Sequence, residues 1–261
     1  MAIISLLSDF GLKDTYVAEM KAVILSINPS AVIVDLTHEI PKYDIRRGAF
    51  ALASAVPYFP RKTVHLAVVD PGVGSKRKPI VVETKKSMYV GPDNGLLMLA
   101  AETEEVNEVF EITEKRFMRK DVSSTFHGRD LFSPVAAYLS EGVQAKEIGK
   151  PLKTYSQPSF SSASIRDGFV NCEVVHIDSF GNVVTNVRQK DLFAIGARLG
   201  SRLRLENHRF RFLRTYSDAA RGSFLGLMGS HGFFEIAANQ RDAAKLLRLE
   251  TGKKLRLSIT N

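Results

Sequence analysis

The chain has 261 residues, of which 44% are hydrophobic and 25% charged, and its formal net charge is +8. This length and balance are typical of a globular protein with one large or two modest domains. No stretch reaches the roughly 18 uninterrupted apolar residues of a membrane-spanning helix, and the start lacks the basic residues of a secretory signal. The single cysteine excludes an internal disulfide and a cysteine-built zinc site. We therefore expect a cytoplasmic protein.

The first part of the chain alternates strand patterns with helix patterns. Short apolar runs predict strands at 2–7, 31–36, 63–69, 79–84, 87–90 and 106–112. Helical spacing predicts helices that begin after Asp14 or Thr15, cover 46–56 and cover 130–139. Strands that alternate with helices indicate a mostly parallel sheet covered on both faces. We assign residues 1–155 to an N-terminal α/β domain.

One strand of this domain ends in a carboxylate at a tight turn, in the segment H-L-A-V-V-D-P-G-V-G-S-K-R (65–77). Ligands of open α/β sheets bind beyond the carboxyl ends of the strands, which is where Asp70 lies. Asp9 follows the first strand in the same way, so both carboxylates are expected at one sheet edge. Asp-Pro-Gly is also ordinary turn chemistry. From this segment alone, a turn and an active site are equally good interpretations.

A second polar segment, S-S-T-F-H-G-R-D-L-F (123–132), places His127 just before a predicted helix. A histidine at this position is more often a cap or a surface residue than a catalytic group. Its polar neighbours Thr125, Arg129 and Asp130 make the loop a candidate site. Both interpretations stay open on this segment alone.

The composition changes after Gly149. Residues 149–168 contain prolines and a run of serines and read as a linker. Strand-like pieces follow at 169–177, 182–187, 202–205, 210–213, 223–228, 233–237 and 255–259, with one helix near 242–247. This pattern predicts a small β-barrel domain over 165–261.

The C-terminal part carries most of the excess positive charge, because residues 161–261 contain 16 basic and 9 acidic side chains. The pairs Arg202/Arg204 and Arg209/Arg211 each share one strand face. Such a face could follow a nucleic-acid backbone, but more often it is simply solvated. We consider nucleic acid an improbable partner.

Several common enzyme motifs are absent from the sequence. The chain has no G-x-x-x-x-G-K-[ST], no G-x-G-x-x-G after its first strand, no H-E-x-x-H and no G-x-S-x-G. These absences argue against nucleoside triphosphates, NAD and serine hydrolysis.

Six further motifs follow one another along the chain: S-D-F-G-x-x-D-x-Y-V-A-x-M-K (8–21), V-V-D-P-G-V-G (68–74), G-P-D-N-G (91–95), F-H-G-R-D (126–130), I-D-S-F-G-N-V-V-T-N (177–186) and G-S-H-G-F-F-E-I-A-A-N (229–239). In this order they resemble the S-adenosyl-L-methionine hydrolases (adenosine-forming), or SAM hydroxide adenosyltransferases, which are related to fluorinase and chlorinase. The resemblance implies an α/β domain followed by a β-barrel. It also implies a homotrimer whose active sites lie between the first domain of one subunit and the second domain of its neighbour. The implied reaction uses water to displace methionine from ribose C5′, without cofactor or metal.

The resemblance also implies roles for individual residues. The water-activating group falls on Asp70, Arg77 and His127. Asp9 would hold the ribose diol, Asn182 would bind the adenine edge and Tyr216 would stack on its face, while Asp178 and Ser230 would hold the methionine amine and carboxylate. Whether Asp70 or His127 accepts the proton of the water stays open.

Two positions bear on the choice of nucleophile and substrate. His231 stands where halogenating relatives carry arginine and many hydrolases carry a small residue, which affects the expected methionine contacts. The halogenating relatives have an aromatic residue in place of Asp70, so the aspartate favours hydroxide over halide. The alternatives from other classes are a non-catalytic adenosine or S-adenosyl-L-methionine sensor and a nucleic-acid-binding protein.

Overall fold

The structure is a computed structural model that describes residues 2–260. The chain forms two compact units, one ending at Pro158 and the other beginning at Ser159. Unit 1 contains a sheet with helices, and unit 2 is built almost entirely of strands. Each unit has its own hydrophobic core.

The sheet of unit 1 has seven strands in the order β2-β1-β3-β5-β4-β6-β7. The strands are β1 Ile3–Ser8, β2 Val32–Thr37, β3 Val64–Val68, β4 Pro79–Thr84, β5 Met88–Pro92, β6 Val106–Ile112 and β7 Gly149–Pro151. Strands β2, β1, β3 and β5 are parallel neighbours, whereas the β5–β4, β4–β6 and β6–β7 pairs are antiparallel. The mostly parallel sheet expected from the alternating pattern is therefore confirmed.

Helices cover both faces of this sheet. They are α1 Tyr16–Ile27, α2 Ile45–Ala55, α3 Met98–Ala101, α4 Ser133–Ser140 and α5 Ala145–Ile148. On one face, Met20 of α1 and Val135 of α4 share a core cluster with Leu6 of β1. On the other face, Gly48 of α2 packs so closely that a Cβ there would lie 2.8 Å from Leu96 and 3.1 Å from Val69, with Leu7 of β1 in ordinary contact at 3.7 Å. Successive residues of β1 thus point to opposite helical layers.

Two boundaries of unit 1 differ from the sequence prediction. β7 pairs with β6 through Gly149 and Ile112, so the sheet extends into the predicted linker. The helix expected from Asp130 is preceded by a π-helical turn over Gly128–Phe132, and regular α-helix begins at Ser133. Periodicity alone does not distinguish a wide first turn from an α-helical one.

Unit 2 is a barrel. Its strands are β8 Ser164–Arg166, β9 Phe169–Ile177, β10 Val183–Thr185, β11 Arg202–Leu205, β12 His208–Phe212, β13 Phe224–Met228, β14 Phe234–Ala238 and β15 Lys254–Ile259. Seven of them follow the order β10-β14-β13-β12-β11-β15-β9, and a β9–β10 pairing closes the ring, while β8 extends from β9. The predicted barrel is confirmed. The prediction was wrong about β8, which lies within the proposed linker, and it missed helix α6 at Gln189–Ala194 but anticipated α7 at Ala243–Leu247.

The alternation of apolar and polar residues along the strands explains which side chains form the barrel core. Leu203 and Leu205 of β11 and Phe210 of β12 point inward and are buried, whereas the arginines between them are exposed. Arg202 lies directly opposite Arg211, and Arg204 lies opposite Arg209. The four arginines therefore form one exposed basic face, the solvated alternative considered from the sequence.

Candidate active site

Asp70, Arg77 and His127, hereafter the trio, form a hydrogen-bonded cluster in unit 1. Arg77 Nε donates to Asp70 Oδ1 over 3.2 Å, and Arg77 Nη2 donates to Asp70 Oδ2 over 2.5 Å. The same Nη2 lies 3.0 Å from His127 Nδ1. The Asp70 and Arg77 side chains are only 4% and 7% exposed. The structure thus brings His127 against two residues of one turn, the nearer of which lies 50 positions earlier in the sequence.

The turn that follows β3 places Asp70 and Arg77. Val73 N–H donates to the Asp70 carbonyl and Ser75 N–H to the Gly72 carbonyl, so the segment is a turn. Gly74 adopts φ +75°, and a Cβ there would lie 2.5 Å from the Ser124 carbonyl oxygen. Only glycine allows this approach to the loop that leads to His127. The turn interpretation is confirmed, and it leaves the Asp70 carboxylate to bind Arg77, while the active-site interpretation stays a prediction.

His127 immediately precedes the π-helical turn, a feature common at functional sites. Its side chain does not cap the helix but lies against Arg77. The turn is anchored by fully buried Asp130, which accepts hydrogen bonds from the Arg129 side chain and from Ser123 N–H. The loop position of His127 is therefore fixed from both sides.

The electrostatics of the trio define the state of His127. Burial and the nearby Arg77 guanidinium lower the pKa of His127 below 6.5. Because arginine can only donate, Nδ1 must be the acceptor, and the proton of the neutral ring is on Nε2. Arg77 Nη1 is buried and has no hydrogen-bond partner among residues 2–260. An unsatisfied charged donor beside a carboxylate and an imidazole is a suitable place for a small polar ligand.

Asp9 lies at the same sheet edge, since Ser8 and Val68 pair at the ends of neighbouring parallel strands β1 and β3. Tyr43 N–H donates to Asp9 Oδ2 over 2.9 Å, and Lys42 Nζ donates to the Asp9 carbonyl over 2.5 Å. Within the described chain, Oδ1 has no hydrogen-bond partner. No hydrogen bond joins Asp9 to the trio.

Unit 2 contains a cavity of about 660 Å³ that is lined by three of the predicted residues, Asp178, Asn182 and Tyr216. We call it the barrel cavity. Sequence reasoning missed Phe180, which also lines it and is 79% exposed. The signal was present in D-S-F-G-N, where a large aromatic occupies a turn between strands. A cavity of about 740 Å³ elsewhere in unit 2 contains none of the predicted residues.

Polar contacts fix the walls of the barrel cavity. The Asp178 carboxylate accepts from Phe180 N–H, Asn182 N–H and Asn182 Nδ2, each over 2.9 Å, so it organises its own turn. The Tyr216 hydroxyl donates to Glu235 Oε1 over 2.6 Å. Burial and this carboxylate raise the pKa of Tyr216, which stays a neutral phenol. The asparagine amide and two aromatic rings remain available for a flat polar ligand.

Ser230 differs from the other predicted residues of unit 2 in its place relative to the barrel cavity. It is exposed in the turn between β13 and β14 and does not line the barrel cavity. The neighbouring His231 has its Nε2 3.4 Å from Glu235 Oε2, on the same carboxylate that Tyr216 binds. Through Glu235, the turn that carries Ser230 is tied to one wall of the cavity.

Residues 2–260 contain neither a candidate metal site nor a candidate membrane-spanning helix. No group of three or more His, Cys, Asp or Glu side chains in this range could hold a metal ion. No helix in the same range combines the length and apolarity needed to cross a membrane.

Comparison with known proteins identifies the family. The model of the SAM hydroxide adenosyltransferase N-terminal domain matches residues 4–149, and the model of its C-terminal domain matches residues 172–256. The chain belongs to the SAM hydroxide adenosyltransferase family. The family resemblance read from the six motifs is confirmed.

The similarity to individual relatives extends over almost the whole chain. The (R)-S-adenosyl-L-methionine hydrolase of Salinispora tropica is 39% identical and covers 98% of this chain and 97% of its own. The hydrolase of the same name from Methanocaldococcus jannaschii is 37% identical, with coverages of 95% and 92%. Fluorinase from an Actinoplanes species is more distant, at 26% identity over 96% of this chain and 95% of its own. The hydrolases are thus closer to this chain than that halogenating relative.

Two solved structures are also similar to this chain over nearly its whole length. The crystal structure of an uncharacterized conserved protein from Thermotoga maritima is 38% identical, with a TM-score of 0.83 and coverages of 98% and 99%. A conserved hypothetical protein from Thermus thermophilus is 34% identical, with a TM-score of 0.79 over the full length of both chains. The fold of the SAM hydroxide adenosyltransferases is therefore shared along both units.

Proposed function

We propose that this chain hydrolyses S-adenosyl-L-methionine to adenosine and L-methionine. The observation that carries the proposal is the trio, in which a buried Arg77 leaves Nη1 unpartnered beside Asp70 and His127. The names of its hydrolase relatives support the same reaction. A water oxygen bonds to ribose C5′ while the C5′–sulfur bond breaks and its electron pair moves to sulfur. Methionine leaves as a neutral thioether, and one proton passes from the water to a base.

The contacts of the trio support Asp70 as this base. Neutral His127 already carries its proton on Nε2, so it donates a hydrogen bond to the water and does not take a proton from it. Of Asp70 and His127, Asp70 is the one with free lone pairs, so it accepts the proton of the water. The Arg77 guanidinium, held against Asp70, then stabilises the negative charge of the developing hydroxide.

These roles suit the energetic demands of the reaction. A sulfonium is a good leaving group, so the reaction needs no general acid. In-line placement of the water can lower the barrier by ~7–11 kcal/mol in well-oriented systems. A positioned base typically adds ~10²–10⁴-fold to the rate.

The remaining predicted residues bind the substrate in this proposal. Asp9 accepts hydrogen bonds from the ribose diol through its free Oδ1, and Asn182 binds the adenine edge. Tyr216 and Phe180 offer flat aromatic faces for the adenine ring. The Asp178 carboxylate, already bound within its own turn, and Ser230 hold the methionine amine and carboxylate.

We further propose a homotrimer in which the trio of one subunit and the barrel cavity of its neighbour form one site. The trimer and the cytoplasmic location are predictions from the family resemblance and the sequence. A complementation experiment tests the shared site. Asp70→Ala and Asn182→Ala variants are each expected to be inactive, and activity should reappear when the two are refolded together. Failure of the mixture to regain activity, with mixed oligomers confirmed by mass spectrometry, would contradict a shared site.

The reaction is tested by incubating the purified protein with S-adenosyl-L-methionine in oxygen-18 water and analysing the products by mass spectrometry. We expect heavy oxygen in adenosine and none in methionine. Both sulfonium epimers are assayed separately, because the relatives' names specify the (R) form. Added chloride should give no 5′-chloro nucleoside. Adenosine found bound to the protein, with no turnover of either epimer, would favour the sensor alternative.

A further inference from the structure

A hydrogen-bond chain that is buried at its Ser8–His38 end lies beside the proposed ribose-binding carboxylate. Ser8 Oγ is 2.7 Å from His38 Nδ1, and His38 Nε2 is 3.1 Å from Asp35 Oδ1. Lys21 Nζ contacts the other carboxylate oxygen of Asp35 over 2.6 Å. Ser8 is fully buried and His38 is only 3% exposed. Ser8 immediately precedes Asp9, so this hydrogen-bond chain ends next to the proposed ribose-binding carboxylate.

The chain has the connectivity of a Ser-His-Asp nucleophile triad but not its accessibility. Ser8 Oγ has no exposure to a substrate, and it accepts the Phe10 N–H over 3.3 Å. His38 is hydrogen-bonded at both ring nitrogens, to Asp35 through Nε2 and to the Ser8 hydroxyl through Nδ1. Such a chain orients a backbone turn and does not attack a substrate.

The segment that carries His38 holds the Asp9 turn at several further points. The His38 carbonyl accepts from Gly11 N–H over 2.7 Å, so this one residue binds both ends of the turn from Ser8 to Gly11. Tyr43, which donates its N–H to the Asp9 carboxylate, has φ +67°. This conformation is uncommon for a non-glycine residue and is often found where a site requires it.

We propose that His38 is a positioning residue that holds the Asp9 carboxylate where it meets the two ribose hydroxyls of the substrate. The proposal rests on the proposed function, since it assumes that Asp9 binds the diol. His38 acts through Ser8 and the Gly11 backbone and does not touch the substrate.

The test measures the dissociation constants of two nucleosides by calorimetry. Adenosine carries the diol, whereas 2′,3′-dideoxyadenosine lacks both hydroxyls but keeps the adenine. His38→Leu is expected to weaken adenosine binding about 10-fold, as for the loss of one well-placed hydrogen bond, and dideoxyadenosine binding by less than about twofold. His38→Asn, which keeps an acceptor for Ser8, should recover most of the adenosine affinity. A role only in folding would weaken both nucleosides alike.

Ser8→Ala provides a second variant in case His38→Leu does not fold, because it removes a single hydroxyl. Equal losses for both nucleosides, or no loss for either, would overturn the positioning role. Asp9→Ala is measured in parallel and should also act selectively on adenosine. If Asp9→Ala leaves adenosine affinity unchanged, the diol-binding role of Asp9 is wrong and the positioning role falls with it. The oxygen-18 assay still tests the hydrolysis independently.

Discussion

The trio of unit 1 and the barrel cavity of unit 2 are built on different physical principles. The trio consists of two almost fully buried charged side chains and a half-buried histidine that are bonded to one another, with Arg77 shared between Asp70 and His127. The barrel cavity presents exposed aromatic faces, and the Asp178 carboxylate in its wall is used by its own turn. Under the proposed function, we expect the trio to determine the rate of the reaction and the barrel cavity to determine the affinity for the adenine ring.

The difference follows from what each task requires. A buried charge is costly unless it is paired, so a base that must act out of bulk water needs a partner such as Arg77. A neutral purine needs only flat surfaces and a few polar contacts, which can be open to solvent before binding. Substitutions in the two regions should therefore change different kinetic constants.

The largest expected effect is that of Asp70→Ala on turnover. Removing the proton acceptor should lower kcat by ~10²–10⁴-fold, while the affinity for adenosine changes little. Single-turnover kinetics and calorimetry measure the two quantities. Asp121→Ala, at an exposed carboxylate, is the matched control and should behave as the unsubstituted protein. An Asp70→Ala variant with unchanged kcat would remove Asp70 from the chemistry.

The second prediction concerns the pH dependence of kcat, which we again expect to arise in the trio of unit 1. Protonation of His127 would place an N–H against the Arg77 N–H groups, so the active form is the neutral ring. Because the pKa of His127 is lowered from its ordinary value of 6.5, the ring is mostly neutral at pH 6.5 and above. The titration of His127 should therefore leave kcat unchanged in that pH range. It should fall about tenfold per pH unit once the pH is below that lowered pKa.

The control for this pH dependence is His127→Asn, which has no titrating ring. Its residual activity should lack the acid limb that His127 produces. The affinity for adenosine should be altered neither by the titration of His127 nor by His127→Asn, because no histidine lines the barrel cavity. An acid limb that survives unchanged in His127→Asn would assign the titration to another group.

The third prediction reverses the pattern in unit 2. Phe180→Ala should weaken adenosine binding by ~5–150-fold, since stacking of a base on an aromatic ring contributes ~1–3 kcal/mol. Because Phe180 is 79% exposed, its removal should leave the thermal stability of the protein nearly unchanged. Tyr216→Phe keeps the ring and loses only the bond to Glu235, so its loss of affinity should be smaller. A large fall in kcat at saturating substrate for Phe180→Ala would contradict the division between rate and affinity.

The sequence predicted the fold well where periodicity is strong. Alternation of strands and helices predicted the sheet that places Asp9 and Asp70 on neighbouring strands. Short strands with regular turns predicted the barrel. The pattern failed at Gly149 and at β8, because prolines and serines resemble a linker while the backbone still pairs with a neighbouring strand.

The candidate site was only partly predictable. Ordered motifs pointed to the trio, but no local pattern could show that one Arg77 nitrogen bonds both Asp70 and His127. The proton position on His127 follows only from that contact. The His38 chain was missed because its members lie on β1, β2 and the following loop, and each looks like an ordinary polar residue in the sequence.

The smallest expected effect belongs to the basic face of unit 2, which lies outside the barrel cavity. Arg209 is directly opposite Arg204, and like charges in such cross-strand pairs are destabilising. Arg209→Glu replaces repulsion with attraction and should raise the free energy of unfolding by ~0.2–1 kcal/mol at low salt. Denaturation at two salt concentrations measures this gain, which should shrink as salt screens the pair. Adenosine affinity and kcat should not change. If Arg209→Glu instead destabilises the barrel at low salt, the basic face is stabilised by contacts beyond the strand pair, and its charges are not simply solvated.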